Sequence, residues 1–520
     1  MKKFHSTVSR RDFMKALGFG VAGLGAAAAA APVFHDLDEV IGSYNSDTPT
    51  ATMKRPWWVT ERDFLNPTAE VDWSIMQRMD RMYEGHSKNF HTQWITNDDW
   101  NAINPHRAVY TQRRLDNQEP GADLKWQALS EGDGMTAEAP DWEYAGLANQ
   151  DDWATSAAER GLPRYTGTPE ENSRLVTAAL RFFGITYIGY ANLDSTWRNK
   201  LIVQNTTSAS SSHLYNGPIP ESEQLRYVYE DVDRAYAEIH PNKEKRNAGK
   251  LVIPTKDITM IFMAVTGSAE GRKYPTLISN GNRIPRTNHH EIVAARLFNF
   301  MRVLGDYQVF GLPGHQEMST NLGASAVLTG VSESSRQNNY TLTPEQGNAF
   351  NPFNLHTDMV IAPTKPIDAG IFKFCHSCGI CARACPSGSI SEDKEPSWEI
   401  NERDGKPMNC HNPGVKHFWS DFVSCVHQYT AYNGCGVASE PDGGPGRVCF
   451  AVCPFNSPKA ALIHDVVRAT AATTSLFNGF IVSMAGAFGY GESPDPDDWW
   501  DQSLPAYGMR TDIGAGTGGY

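Results

Sequence analysis

The sequence predicts an α+β chain: a mixed α/β unit followed by a smaller, cysteine-rich unit. Three observations predict it. Helical and strand-like patterns alternate between residues 166 and 370. All nine cysteines fall between Cys375 and Cys453. Residues 1–35 have the composition of an address rather than of a folded element. The 520 residues suffice for one large or two ordinary domains, and 40% hydrophobic with 20% charged residues is a soluble globular composition. A net charge of −13 argues against nucleic acid as a partner.

In order along the chain, Arg10-Arg11-Asp12-Phe13-Met14-Lys15 reads as a twin-arginine signal, and an Ala/Gly-rich stretch from Ala16 to Ala31 follows it. That stretch is short and weakly apolar for a membrane span. Cleavage is expected shortly after Ala31, with an uncleaved anchor helix as the alternative. The twin-arginine route exports proteins already folded, which suits a chain loaded with its cofactors first. Residues 36–165 are polar, irregular and rich in tryptophan, from Trp57 and Trp58 to Trp153. A wrapping segment with short helices is expected there, its tryptophans in the core or along an apolar cleft.

Residues 166–370 carry the α/β unit. Thr168 caps a helix, with Pro169 at its first position and Glu170 and Glu171 in its first turn. The helix runs to Phe183 and stops at Gly184. Strands are expected at Ile185–Ala191, Lys250–Pro254, Asp257–Val265 and Tyr307–Phe310, with a helix from His289 to Leu304. The alternation predicts one sheet with helices on its faces. Residues 361–370 form an extended lead into the next unit.

Residues 371–470 hold the strongest signal. Cys375, Cys378, Cys381 and Cys385-Pro386 follow the C-x2-C-x2-C-x3-C-P run that bacterial ferredoxins use for [4Fe–4S] clusters. Three thiolates from one tight loop cover three corners of a cube. The fourth, expected to start a helix leading away, serves the other cube. A second set exists: Cys425, Cys435, Cys449 and Cys453-Pro454. The expected division is Cys375, Cys378, Cys381 and Cys453 on one cube, with Cys385, Cys425, Cys435 and Cys449 on the other. Cys410 is left as a spare thiol. Residues 436–448 separate Cys435 from Cys449 and look like a loop inserted into a short turn. A disulfide framework or a zinc site is the alternative, but disulfides spread through a domain rather than crowd one end of a long chain. Residues 471–520 contain the apolar stretch Thr474–Tyr490, expected as a packing helix, a membrane or partner contact being the alternative.

These features together resemble the respiratory reductive dehalogenases, especially those acting on chlorinated ethenes. The resemblance spans nearly the whole chain. It rests on Arg10–Lys15, Pro56–Val59, Gly167–Asn172, Ala362–Gly370, the two cysteine sets, Phe477–Phe480, Phe488–Gly491 and Asp497–Trp500. It implies a nitroreductase-like α/β core that binds a corrinoid base-off, with a C-terminal ferredoxin-like domain holding two [4Fe–4S] clusters. No D-x-H-x-x-G motif is present, consistent with no histidine below the cobalt. The implied reaction removes halide from a small halogenated organic substrate, with electrons passing through the clusters to the corrinoid. The implied partners are an electron donor of the respiratory chain and a small integral-membrane anchor subunit on the outer face of the cytoplasmic membrane. The resemblance also implies a proton-donating tyrosine beside a cation. The matching position is Val203, so the role is expected at Tyr190, with Tyr187 and Tyr215 next, and Arg286 or His289 as the cation. Gly330, Ser332, Glu333, Ser335 and Arg336 are expected at the corrinoid rim. Two other classes compete: an epoxyqueuosine-type reductase, which the export signal disfavours, and a ferredoxin-type electron carrier, for which the upstream chain is too long.

Overall fold

The computed structural model describes residues 53–501, apart from 54, 57, 81–82, 84, 86–87, 134–153, 204–224, 240–248, 268–272, 274–275, 278–286, 312–319, 338–339, 436–447, 457–461, 488 and 492–493. The twin-arginine segment, Tyr215, Arg286 and most of the loop between Cys435 and Cys449 lie outside the described residues. The fold is mixed α+β.

The α/β unit is built around one antiparallel sheet. The 20-residue helix α1 (Asn97–Asp116) precedes it, and α2 (Pro169–Phe182) opens it. Thr168 and Glu171 close a capping box on α2: Thr168 Oγ1 accepts from Glu171 N at 3.2 Å, and Glu171 Oε2 accepts from Thr168 N at 2.9 Å. Strand β1 (Tyr187–Asn192) follows. Next come β2 (Leu225–Glu230), β3 (Tyr236–Ile239), β4 (Gly249–Pro254) and β5 (Thr259–Thr266). Helix α3 (Thr287–Gly305) leads to β6 (Val309–Phe310), and α4 (Leu322–Leu328) to the hairpin β7 (Glu333–Ser334) and β8 (Thr341–Leu342). Strand β9 (Phe350–Thr357) completes the sheet, whose order is β1-β5-β9-β6 with every pairing antiparallel.

The two faces of this sheet differ. Tyr190, Ile261, Met263 and Val265 pack under α2 and α3, against Val176, Leu180, Val293 and Leu297. Tyr187, Met260, Phe262 and Ala264 face the other way, against Leu201, Ala326 and Leu328. Because side chains alternate along a strand, Tyr187 and Tyr190, three residues apart, lie on opposite faces.

Three expectations need correction. Lys250–Pro254 does not join the main sheet; as β4 it pairs with β2 and β3 in a separate three-stranded sheet. Strand β9 was absent from the sequence reading because Asn351, Pro352 and Asn354 interrupt its apolar pattern. Pro352 is tolerated because β9 pairs with β6 only at His356 and Thr357, which leaves its other side free of sheet bonds at the proline. The N-terminal segment is not limited to short helices. Helix α1 runs through Pro105, and it buries only Ile103, Tyr110 and Arg114, so it shows little periodicity.

The segment wraps the cysteine-rich end. His106 Nδ1 meets the carbonyl of Ala431 at 3.0 Å, Trp94 Nε1 donates to Arg403 O, and Val71 bridges to Val415. At that end lie α5 (Ile371–Cys378), α6 (Ile380–Arg383), α7 (Phe422–Ala431), α8 (Val448–Ala451), α9 (Leu462–Thr473) and α10 (Asn478–Ser483). Val467, Ala471, Ile481, Ala485 and Tyr490 pack on Ile371 and Phe374, and Asn478 Nδ2 donates to Ser377 Oγ at 2.7 Å. The apolar stretch 474–490 therefore packs on α5, although only Asn478–Ser483 of it is helical. Among the described residues no helix is long and apolar enough to cross a membrane.

Candidate active site

The first cysteine set sits on two short helices rather than on a loop. Cys375 and Cys378 lie on α5 and Cys381 on α6; Gly379, in a left-handed conformation (φ 61°), makes the joint between them. Cys385 follows α6 in a turn and starts no helix. Cys453 comes in just after α8. Cys375, Cys378, Cys381 and Cys453 line one cavity, with about 330 Å³ of empty space partly open to solvent, and Arg336, Gln337, Leu342 and Phe374 stand in its wall. Burial pushes all four thiols above their ordinary value, Cys453 to about 12. The nearness of the other thiols adds to this at Cys375, Cys381 and Cys453.

Two side chains expected at the corrinoid rim serve this cavity instead. Glu333, fully buried, caps the N-terminus of α5. Its carboxylate accepts from the backbone N–H of Ala369 (2.9 Å), Ile371 (3.0 Å) and Phe372 (3.0 Å), and from Thr68 Oγ1 (2.8 Å). Burial pushes its carboxyl up to about 7, against these donors, which pull it down. Arg336 donates to the carbonyl of Cys375 from Nε (3.1 Å) and Nη2 (2.9 Å), and to Ser391 O from Nη1 (2.7 Å). Ser332 and Ser335 spend their hydroxyls on Thr341 Oγ1 and Tyr340 O. Gly330 makes the left-handed turn (φ 73°) after α4, where a Cβ would strike the carbonyl of Lys365.

The second set is looser. Cys385, Cys435 and Cys449 share a cluster with Val448, Phe450 and Val452. Cys425 lies on α7, whose start is tied to the Cys385 turn. Cys385 Sγ is 3.4 Å from Ser387 Oγ, Ser387 meets Ser389, and Ser389 Oγ meets Ser424 Oγ at 2.8 Å. Cys410 stands apart, packed with Phe90, Met408, Phe422 and Val426.

A larger cleft, with about 950 Å³ of empty space partly open to solvent, lies beside the first cavity. One wall comes from Trp73 and Met76, another from Leu201 and the α4 residues Ala324, Val327 and Leu328, and a third from Cys410, His411, His417 and Trp419. Burial lowers His411 and His417 to about 4, so both imidazoles are neutral near pH 7. Lys200 is the one permanently charged side chain in the described lining; its Nζ donates to Met76 O at 2.6 Å. The hairpin β7–β8 divides cleft from cavity. Ser334 and Thr341 line the cleft, while Arg336 and Leu342 line the cysteine cavity. Alternation sends Thr341 and Leu342, neighbours on β8, to opposite sides, while Arg336 lies past the end of β7.

The catalytic expectations do not meet at this cleft. Tyr190 is fully buried under α2, and its hydroxyl is 2.9 Å from Thr177 Oγ1. Burial pushes its phenol up, which makes it a poorer proton donor. Tyr187, also buried, faces the other way and meets Thr343 Oγ1 at 3.2 Å. His289 packs against Gly184 at the end of α2, on the Tyr190 side of the sheet. The sequence reading missed Ser334, Thr341, Lys200, Trp73 and the Cys410–Trp419 segment. The odd Cys410-His411 pair and the tryptophan excess were the only signals for them.

Comparison with known proteins agrees over most of the chain. The family model for the reductive dehalogenase subunit matches residues 54–361. The chain is 28% identical to the chloroethene reductive dehalogenase of Dehalococcoides mccartyi strain VS, over 98% of this chain and 99% of that one. It is 28% identical to the trichloroethene reductive dehalogenase of strain 195 of the same species, over 98% of this chain and 100% of that one. Among solved structures, it is similar to a catabolic reductive dehalogenase in complex with 3-bromo-4-hydroxybenzoic acid (TM-score 0.51, 16% identity, 91% of this chain). The chain spans about half of that structure (53%), and the likeness is one of fold.

Proposed function

The chain belongs to the reductive dehalogenase family, and we propose that it removes halide from small organohalides, chlorinated ethenes foremost, as the terminal reductase of an anaerobic respiratory chain. The reaction replaces a carbon–halogen bond by carbon–hydrogen, consuming two electrons and one proton and releasing halide. The observation that carries this proposal is the shared partition: one hairpin forms the wall of both the cleft and the four-cysteine cavity.

We assign the cleft, walled by the nitroreductase-like core (residues 166–370), by Trp73 and Met76 and by residues 410–419, to a base-off corrinoid. Its apolar walls suit the faces of a large macrocycle, and Asn321, Asn412, Ser334 and Thr341 offer polar groups to an amide-bearing rim. The corrinoid, when bound, supplies a strongly reducing metal centre for breaking the carbon–halogen bond. The family resemblance and the missing D-x-H-x-x-G motif support a cobalt without protein nitrogen. Nitrogen splitting in the electron paramagnetic resonance spectrum of the cobalt would contradict this.

We assign two [4Fe–4S] clusters to the ferredoxin-like domain, residues 371–470. Cys375, Cys378, Cys381 and Cys453 hold one; Cys385, Cys425, Cys435 and Cys449 hold the other. Thiols raised by burial and by one another become thiolates only beside a concentrated positive charge, which iron supplies. The C-x2-C-x2-C-x3-C-P spacing of the first set fits a cluster better than zinc. The clusters, when bound, supply single electrons at low potential.

The chain's own residues give the cleft apolar walls and present a proton. Tyr190 is withdrawn from the donor role. Tyr187 spends its hydroxyl on Thr343 and is not among the described lining of the cleft, so Tyr215 and Lys200 are the remaining candidates, a phenol or an ammonium being able to protonate a carbanion-like carbon in an apolar site. Residues 1–35 are assigned to twin-arginine export, and a membrane anchor subunit and a respiratory electron donor complete the assembly. Replacing Arg10 and Arg11 by Lys should leave the precursor inside the cell. The function itself is tested by anaerobic turnover with reduced viologen across chlorinated ethenes, ethanes and aromatics. Chloride release from ethenes is expected, and no dehalogenation of any of the three classes overturns the proposal.

A further inference from the structure

Arg336 is 2% exposed, yet among the described residues no carboxylate oxygen lies within 4.0 Å of its guanidinium. Its hydrogen bonds go to two backbone carbonyls, those of Cys375 and Ser391, and its plane rests on the Phe418 ring, 3.7 Å from the centroid. Carbonyl dipoles and an aromatic face temper a buried positive charge but do not neutralise it. The guanidinium also forms part of the wall of the cavity lined by Cys375, Cys378, Cys381 and Cys453. Four thiolates around a cube carry net negative charge, and one added electron makes it more negative. A fixed cation in a water-poor wall favours the reduced state, and net charge is among the determinants of iron–sulfur potentials.

We propose that Arg336 is the buried counter-charge of the first cluster and raises its reduction potential, setting it apart from the second cluster. The inference rests on assigning this cavity to an iron–sulfur cube. The step is a one-electron reduction of the cube by the physiological donor; no proton moves and no bond is made. Arg336 is a tuning residue and touches no reacting atom of the substrate.

The test is a redox titration of the full, loaded chain followed by electron paramagnetic resonance, with iron measured beforehand. The parent should hold about eight irons, as two cubes require; a parent without them overturns the cavity assignment and this inference with it. In Arg336→Gln, iron should be retained. At the parent's midpoint the reduced-to-oxidised ratio of one cube should fall about tenfold, which corresponds to about 59 mV for one electron. The other cube should not move. An unchanged ratio, or equal shifts of both cubes, overturns the proposal while leaving the cluster assignment standing. If Arg336→Gln loses iron, Arg336→Lys decides. Lysine keeps the charge without the planar fork, so retained iron and a ratio close to the parent's support the proposal. Lost iron or a tenfold fall in Arg336→Lys means that the fork acts only structurally.

Discussion

The two cysteine sets of this chain are built differently. Three members of the first come from the stretch Cys375–Cys381 on α5 and α6, and all four are buried around a single cavity. Members of the second come from four separated places, and Cys385, Cys425 and Cys435 are only half-buried. The tight set abuts the cleft through the β7–β8 hairpin; the loose set lies nearer solvent. Under the proposed function, the difference gives electrons a direction, from the accessible set to the enclosed one and on to the cleft. It also shows that the enclosed set needs outside support: a capping carboxylate, a guanidinium, and the packing of α9 and α10.

The largest expected effect separates the sets directly. Cys381→Ala should remove about half of the iron and abolish turnover, and Cys449→Ala should remove the other half. Iron analysis of both variants is the check, and full iron in Cys449→Ala would break the comparison.

Next in size is the support of the enclosed set. Glu333→Gln places an amide where four donors converge, so one N–H loses its acceptor. Stability measured by denaturant should fall by about 1–3 kcal/mol, and the first cluster should be lost before the second. The carboxyl also sets a pH dependence. Its folded value, about 7, lies above the ordinary 4.5 because burial disfavours the charge. Its contribution to stability is then complete below 4.5 and is lost as pH rises through 7. The parent should show that slope, and Glu333→Gln should not.

Tyr190→Phe should change turnover by no more than about twofold, against the 10²–10⁴-fold typical of a lost general acid. A loss in that larger range would return Tyr190 to the site. Cys410→Ser should be the mildest variant, with iron content equal to the parent's. Loss of half the iron there would make Cys410 a ligand and displace a member of the second set.

The site was legible where spacing is covalent. The C-x2-C-x2-C run forces three thiols together whatever surrounds it, so the first cavity contains the four cysteines expected to share a cube. The capping box at Thr168 and the apolar runs of β1 and β5 were equally local. What was not legible depends on parity and on distant packing. Nothing in Tyr187–Asn192 reveals which face of β1 meets the helices, so Tyr190 was placed on the wrong side. The same parity turns Ser334 to the cleft and Glu333 to α5, whereas Arg336 reaches the cysteines from the segment after β7. The third wall of the cleft, Cys410–Trp419, is brought up by packing with residues more than 300 positions away, such as Gln77 on Asn412, and no local pattern marks it.

The central claim is that one hairpin divides a corrinoid cleft from an iron–sulfur cavity. Its most direct test is metal analysis of the anaerobically purified parent beside Ala324→Trp, which fills the cleft from α4 and lies outside the walls of the four-cysteine cavity. The parent should carry about one cobalt and eight irons per chain, and the variant about eight irons with no cobalt. Cobalt retained at the parent's level in Ala324→Trp, or lost together with the iron, would contradict the account.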